Sequence, residues 1–271
     1  MKITFEIDGK KYSSDTKKYI DISLIQDFSD QQANSFGVRK AEAKPYKVGD
    51  FEGDTNKGSS CNFDELTVTP HCNGTHTECI GHILNTRNTI TDNLDDVIVP
   101  AYLISCNIIN GTETADKYIP KLDDDDLIIC YDELKNKIEN LNLENKALII
   151  RTLPNDLQKK TQDYNKIENI FFTNDAMKYI VKKGVKHLLV DQSSIDKAHD
   201  DGKLSNHRIF WDVELDKKSK EKSKEYSKTI TEFVFIPDNI NDGLYLLNIQ
   251  IASFALDASP SRPILFNLFE I

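Results

Sequence analysis

The stretch HCNGTHTECIGH, His71–His82, puts three of the chain's six histidines and two of its five cysteines beside a glutamate. On an extended chain, residues two apart share a side. Extended through this stretch, Cys72, Gly74, His76, Glu78, Ile80 and His82 face one way, and His71, Thr75, Thr77 and Cys79 face the other. A helix would separate His76 from Glu78, so only the extended reading gathers a thiol, two imidazoles and a carboxylate on one side. All are ligands for a divalent transition metal, and zinc accepts each of them. His71 is one residue out of register and joins them only if the backbone bulges. A nucleophilic Cys72 or Cys79 with His76 or His82 as base is the rival reading, and it leaves Glu78 without a role. Any one of these residues is an ordinary loop or strand residue; four alternating ones point to a site.

The chain around this stretch has 271 residues, 39% hydrophobic and 29% charged, as expected of a globular protein with a substantial core. A net charge of −10 argues against nucleic-acid or anionic-membrane partners, both of which need positive charge. The N-terminal segment alternates polar and apolar residues and does not read as a signal peptide. No segment approaches the apolar length of a membrane helix. An odd number of cysteines without an export signal points to reduced thiols in the cytoplasm, free to bind metal.

Pattern along the chain predicts mixed α/β structure. ITFEIDGKKYS reads as a hairpin turning at Asp8-Gly9, and YIDISL as a strand. Residues 26–62 read mostly as long loops. VIVPAYLISCNII (Val97–Ile109) and KALIIRT (Lys146–Thr152) have the continuous apolar, β-branched character of strands buried on both faces. DELKNKIENLNLE reads as a helix capped by Asp132, with Leu134, Ile138 and Leu141 on its apolar face. TNDAMKYIVKKG reads as a second helix, from a Thr173 or Asn174 cap to Gly184, and VKHLLVD as the strand after it. LDDDD (Leu122–Asp126) lacks the spacing of a calcium loop and reads as a solvated turn. The charged run 216–228 reads as an inserted surface hairpin tip or short exposed helix. With no convincing linker, residues 1–271 are expected to form one domain.

Gly74-Thr75-His76-x-Glu78-x-x-x-His82 resembles the signature of the metal-dependent cyclase family, which includes bacterial kynurenine formamidase and isatin hydrolase. That signature reads His-x-Gly-Thr-His-x-Asp-x-Pro-x-His. Cys72 stands at the first His, Glu78 at the Asp and Ile80 at the Pro, while His76 and His82 match. The resemblance continues through IDISL, IIRT (Ile149–Thr152), and the unit ending in Val190, Asp191, Ser194 and Asp196. It extends to His207 in NHRIFW, Glu232 in TITEFVFIPDNI, and the closing strands with Asp257, Ser259, Pro260 and Arg262. His207 and Glu232 stand farther apart than is usual, by about the length of the run 216–228.

The resemblance implies a single domain with a mixed, barrel-like sheet flanked by helices. It also implies metal ligands at Cys72, His76, Glu78, His207 and Glu232, with His82 as general acid/base. Thr75, Asp257, Ser259 and Arg262 would support the site or line the pocket. The cofactor expected is one or two divalent ions, zinc favoured by the thiolate and manganese also compatible. The implied activity is hydrolysis of a C–N amide bond in a small molecule, an N-formyl aryl amine or a cyclic amide, by a homo-oligomer (dimer or tetramer). Three alternatives share these residues: a metal-binding sensor that has lost catalysis, a hydrolase of another small amide or lactone, and a cysteine hydrolase using Cys72. His187 is expected to be structural, and His199 to lie on a surface loop close enough to His207 to line a pocket.

Overall fold

The computed structural model describes residues 1–28, 31–221 and 224–271. Its strands, in chain order, begin with β1 (Lys2–Ile7), β2 (Lys10–Asp15), β3 (Tyr19–Asp21), β4 (Glu42–Pro45), β5 (Lys47–Val48), β6 (Phe51–Glu52) and β7 (Asp64–Thr67). They continue with β8 (His76–Glu78), β9 (Ile98–Asn107), β10 (Ile109–Asn110), β11 (Leu127–Ile129), β12 (Ala147–Leu153) and β13 (Phe171–Phe172). The last are β14 (His187–Val190), β15 (Thr229–Glu232), β16 (Gly243–Asn248), β17 (Ala258–Pro260), β18 (Ile264–Asn267) and β19 (Phe269–Glu270). Helices are few: α1 (Ile90–Asn93), α2 (Tyr131–Ile138), α3 (Asn174–Lys182) and α4 (Ser205–Phe210).

Nine strands form one curled, half-barrel sheet in the order β17-β8-β15-β14-β12-β9-β16-β18-β3. Its centre, β15-β14-β12-β9, is parallel, and antiparallel strands extend it at both edges. The continuous apolar runs are the reason. In β12, Leu148 and Ile150 pack with α2, α3 and α4 through Leu134, Met177 and Phe210. Ala147 and Ile149 face the opposite core with Ile22, Val99, Leu189 and Leu247. A strand apolar on both faces needs cover on both, and here helices supply one side and the curl of the sheet the other. The expected barrel-like mixed sheet with flanking helices is what the chain forms.

Local signals predict most elements closely. The first hairpin turns at Asp8 and Gly9 with φ of +50° and +78°, as an Asp-Gly turn requires. The Thr173 hydroxyl caps α3 by accepting the Ala176 N–H, and Gly184 follows its end at φ +77°. At α2 the structure corrects the cap: Cys130 takes the N-cap position without a side-chain bond, and Asp132 sits inside the first turn, where its charge suits the helix dipole. Within the expected loop region, β4–β7 and β5–β6 pair as short antiparallel ribbons with mostly exposed side chains. The LDDDD turn is less solvated than expected, because Asp123 and Asp126 both pair with Lys197 at 2.7 Å. The charged run also packs back at its end: Tyr226 is buried, and the Lys228 carbonyl accepts the Trp211 indole N–H at 3.0 Å. Residues 222–223 of that run lie outside the described residues. No helix of the described chain is long and apolar enough to cross a membrane.

Candidate metal centre

Three adjacent strands at one edge of the sheet carry the site. The register places His76 of β8 opposite Glu232 of β15, and Glu78 opposite Ile230. His76 and Glu78 therefore share a side with Glu232, while Thr77 and Thr231 face away and join their hydroxyls at 2.8 Å. Alternation holds here as expected, because the backbone is extended.

It fails one step upstream. β8 begins at His76; residues 71–75 turn, and Gly74 sits at φ +110°, a conformation side chains rarely adopt. The turn resets the parity, so His71 swings to the working side and Cys72 does not. His71 Nε2 lies 3.4 Å from Glu78 Oε2 and 3.0 Å from Asp257 Oδ2, with its ring stacked 4.4 Å from that of His82. Among the described residues, two groups of ligand atoms converge within 4.8 Å: His71, Glu78 and His82, and Glu78, His207 and Glu232. Cys72, expected to be a ligand, is in neither. Burial raises its thiol to about 11, and the Glu232 charge acts in the same direction. Cys79 is buried too and raised to about 12. Thiols held protonated are the opposite of what a nucleophilic cysteine needs, so the cysteine-hydrolase reading loses its basis.

His207 arrives from the helical side on α4. The Asp196 carboxylate accepts the Asn206 N–H at 2.8 Å and the His207 N–H at 3.1 Å, fixing the first turn of that short helix. His207 Nε2 then points at Glu78 Oε1, 3.0 Å away, and stands 3.9 Å from Glu232 Oε1. Glu232 Oε1 also accepts the Ile195 N–H at 2.9 Å. His82 belongs to a 3-10 turn, Ile80–His82, rather than to a strand, and its Nδ1 lies 3.4 Å from Asp257 Oδ2. Gly81 makes that turn possible: a Cβ there would collide with the Asn88 carbonyl and press on the Asp257 side chain.

The interior residues His76, Glu78, His207 and Glu232 are buried, whereas His71, His82 and Asp257 have side chains 24%, 27% and 33% exposed. The site thus has a closed floor and an open rim. Burial alone would raise the Glu78 carboxyl, but His82, His207 and His71 outweigh it and hold Glu78 well below the usual carboxylate range. Hydrogen bonding to His71 and His82 depresses Asp257 likewise. On His207, burial opposes the charge, and Glu78 and Asp196 overcome it to raise the pKa well above the ordinary histidine value.

The donor set fits a cation. His76 Nδ1 lies 3.0 Å from the Gly74 carbonyl, so Nδ1 carries the proton and the Nε2 lone pair is free. That Nε2 is buried, has no hydrogen-bond partner, and faces Glu232 Oε2 at 3.5 Å. Two buried acceptors facing one another are costly unless a cation lies between them. Imidazoles and carboxylates are also the donors that zinc and manganese take.

Other expected residues divide. Asp257 is in the site. The Thr75 hydroxyl accepts the Leu24 N–H at 2.7 Å and donates to the Phe233 carbonyl, tying the strand ends behind His76 and Glu232. Ser259 is buried and donates to backbone at Ala252, so it braces β17. Arg262 points away, its Nε 2.7 Å from Asp21 and its side chain 64% exposed. Alternation from Ala258 and Pro260, which pair with Glu78 and His76, would have kept it on their side, but β17 ends at Pro260 and no longer sets its direction. Phe233, held at φ +58° after Glu232, sets its ring 6.0 Å from that of His76. His187 is buried and structural. His199 lines a cavity of about 740 Å³ with Tyr164, Phe171 and Lys197, but none of the metal-group residues lines it. Sequence reasoning missed Tyr118, one tyrosine among ten, which donates to Asp196 at 2.7 Å. Nothing local marks it.

Residues 9–197 match the family described as "Putative cyclase". No curated protein matches the chain. Among solved structures, a predicted metal-dependent hydrolase from Bacillus stearothermophilus is similar at 17% identity and TM-score 0.58, over 92% of this chain and 98% of that one. Isatin hydrolase A from Labrenzia aggregata superposes at TM-score 0.61 with 13% identity, over 92% of this chain and 93% of that one. Isatin hydrolase A from Ralstonia solanacearum superposes at TM-score 0.60 with 12% identity, over 92% of this chain and 91% of that one. These likenesses carry the fold, and the family match spans well over half of the sequence. The chain belongs to the cyclase family.

Proposed function

We propose that the protein is a metal-dependent hydrolase that opens a C–N amide bond of a small molecule, an N-formyl aryl amine or a cyclic amide. The observation that carries this reading is the free Nε2 of His76 facing Glu232 beside two His/Glu groups that share Glu78. Membership of the cyclase family, and similarity to proteins named isatin hydrolase, support the reaction class. The ligands proposed are His76, Glu78, His207 and Glu232, with His71 in place of Cys72. Without the thiolate, the preference for zinc weakens, and zinc and manganese fit equally.

A divalent ion held there supplies Lewis-acid polarisation of a carbonyl and acidification of a water. Glu78 and Glu232 fix negative charge at the floor, where burial strengthens its attraction for a cation. Asp257, 3.4 Å from His82 Nδ1, keeps that proton on Nδ1 and leaves Nε2 to accept a proton from the attacking water and return it to the leaving nitrogen. The half-exposed rim of His71, His82 and Asp257 is where a small substrate enters. Family membership supports a homo-oligomer, dimer or tetramer, measurable by light scattering. The five free cysteines fit a reducing cytoplasm.

The test is metal analysis of the purified protein beside turnover of N-formylkynurenine and isatin. His82→Ala is expected to retain metal and lose about 10²–10⁴-fold in turnover. A protein that takes up neither zinc nor manganese, or a His82→Ala variant of undiminished rate, overturns the proposal. Metal uptake without turnover on a wide amide and lactone panel favours a binder or sensor.

A further inference from the structure

We infer that Asp196, with Tyr118 behind it, is a positioning residue that aims His207 Nε2 at the metal position, an inference that rests on the metal-site reading above. Asp196 Oδ2 lies 2.6 Å from His207 Nδ1 and also accepts the His207 backbone N–H at 3.1 Å. One carboxylate oxygen therefore holds both the ring and the backbone of the same residue. The other oxygen accepts the Asn206 N–H at 2.8 Å and the Tyr118 hydroxyl at 2.7 Å. The Tyr118 hydroxyl in turn accepts the Lys197 N–H at 3.0 Å, so its proton is committed to Asp196. Asp196, His207 and Tyr118 are all at most 4% exposed, so water does not compete for these bonds.

This geometry has a directional consequence. A carboxylate can only accept, so the imidazole nitrogen facing it carries a proton. His207 Nδ1 is then the donor to Asp196 and keeps its proton, whereas the Nε2 proton facing Glu78 at 3.0 Å is the one that a cation held by Glu78 and Glu232 would displace, which leaves Nε2 for a ligand bond. Carboxylates behind metal-ligating histidines set tautomer and ring orientation in this way. Tyr118 fixes the carboxylate plane, because without it Oδ1 keeps only the bond from α4 and a weaker 3.5 Å approach from Ser205.

The experiment uses the full chain, stripped with chelator and titrated with Zn²⁺, Mn²⁺ and Co²⁺ against a competing indicator. Asp196→Asn places an amide N–H where the acceptor was, favouring the wrong tautomer. It is expected to weaken affinity about 10–100-fold. At saturating Co²⁺ its visible absorption should differ from the wild type, a change that loss of helix stability alone would not produce. Tyr118→Phe is expected to weaken affinity several-fold in the same direction, with circular dichroism unchanged. A folded Asp196→Asn variant with wild-type affinity and a wild-type cobalt spectrum overturns the inference. Should that variant fail to fold, Tyr118→Phe decides, and an affinity within twofold of wild type overturns it. Wild-type protein that binds none of the three ions overturns the metal reading itself, a result distinct from either variant outcome.

Discussion

His187 opens β14 fully buried, its Nδ1 2.8 Å from the Thr229 hydroxyl and its Nε2 without a partner. Burial, aided by the neighbouring Lys186 charge, pushes its pKa down to about 4, against the smaller opposing pull of Asp96 and Asp95. In an unfolded chain it would titrate near 6.5. The folded pKa lies below the unfolded one, so the unfolded state takes up the proton first as pH falls. The associated stability is present above about pH 6.5 and is lost progressively towards about pH 4. A gap of about 2.5 units at 1.36 kcal/mol each corresponds to about 3 kcal/mol, of which about 2.5 kcal/mol is gone by about pH 4.5. Urea denaturation in chelator, at about pH 7, 6, 5 and 4.5, of wild type and His187→Asn measures it. Asparagine keeps a polar partner for Thr229 and does not titrate. Groups at the metal centre titrate in both proteins and cancel in the difference, since Glu232 lies about 10 Å farther along β15 than Thr229. The wild type should lose about 2.5 kcal/mol more than the variant between the extremes. Parallel pH profiles, agreeing within about 0.5 kcal/mol, would refute a buried neutral imidazole.

His71→Ala should lower the metal content of purified protein, while Cys72→Ser should leave it unchanged; the opposite pattern by elemental analysis restores the thiolate ligand. Loading the site at about a thousand times its dissociation constant stabilises the fold by about 4 kcal/mol. For a chain of this size that is a rise of about 8–16 °C in Tm, reversed by chelator in a thermal-shift assay. An unmoved Tm argues against specific binding. Gly81→Ala introduces a Cβ against the Asn88 carbonyl and Asp257. It should cost about 1–3 kcal/mol and reduce turnover through Asp257, and wild-type activity would show that the turn yields without moving the rim.

Read as a sequence, the chain already held its sheet and most of the residues proposed for its site. The apolar run of β12 is unbroken because both its faces are buried, and that property survives in one dimension. So do the Thr173 cap, the Asp8-Gly9 turn, and the pairing of His76 with Glu78, each set by residues two to four apart. The resemblance through His207 and Glu232 brought these distant residues into the proposed set. What lay beyond the sequence was the side taken by His71 and Cys72, the departure of Arg262, and the arrival of Tyr118. Parity along a strand persists only while the backbone stays extended, and the Gly74 turn resets it by an amount that local spacing does not encode. Tyr118 meets Asp196 across 78 residues and Asp196 meets His207 across 11, and only the packing of α4 against the sheet edge decides such meetings.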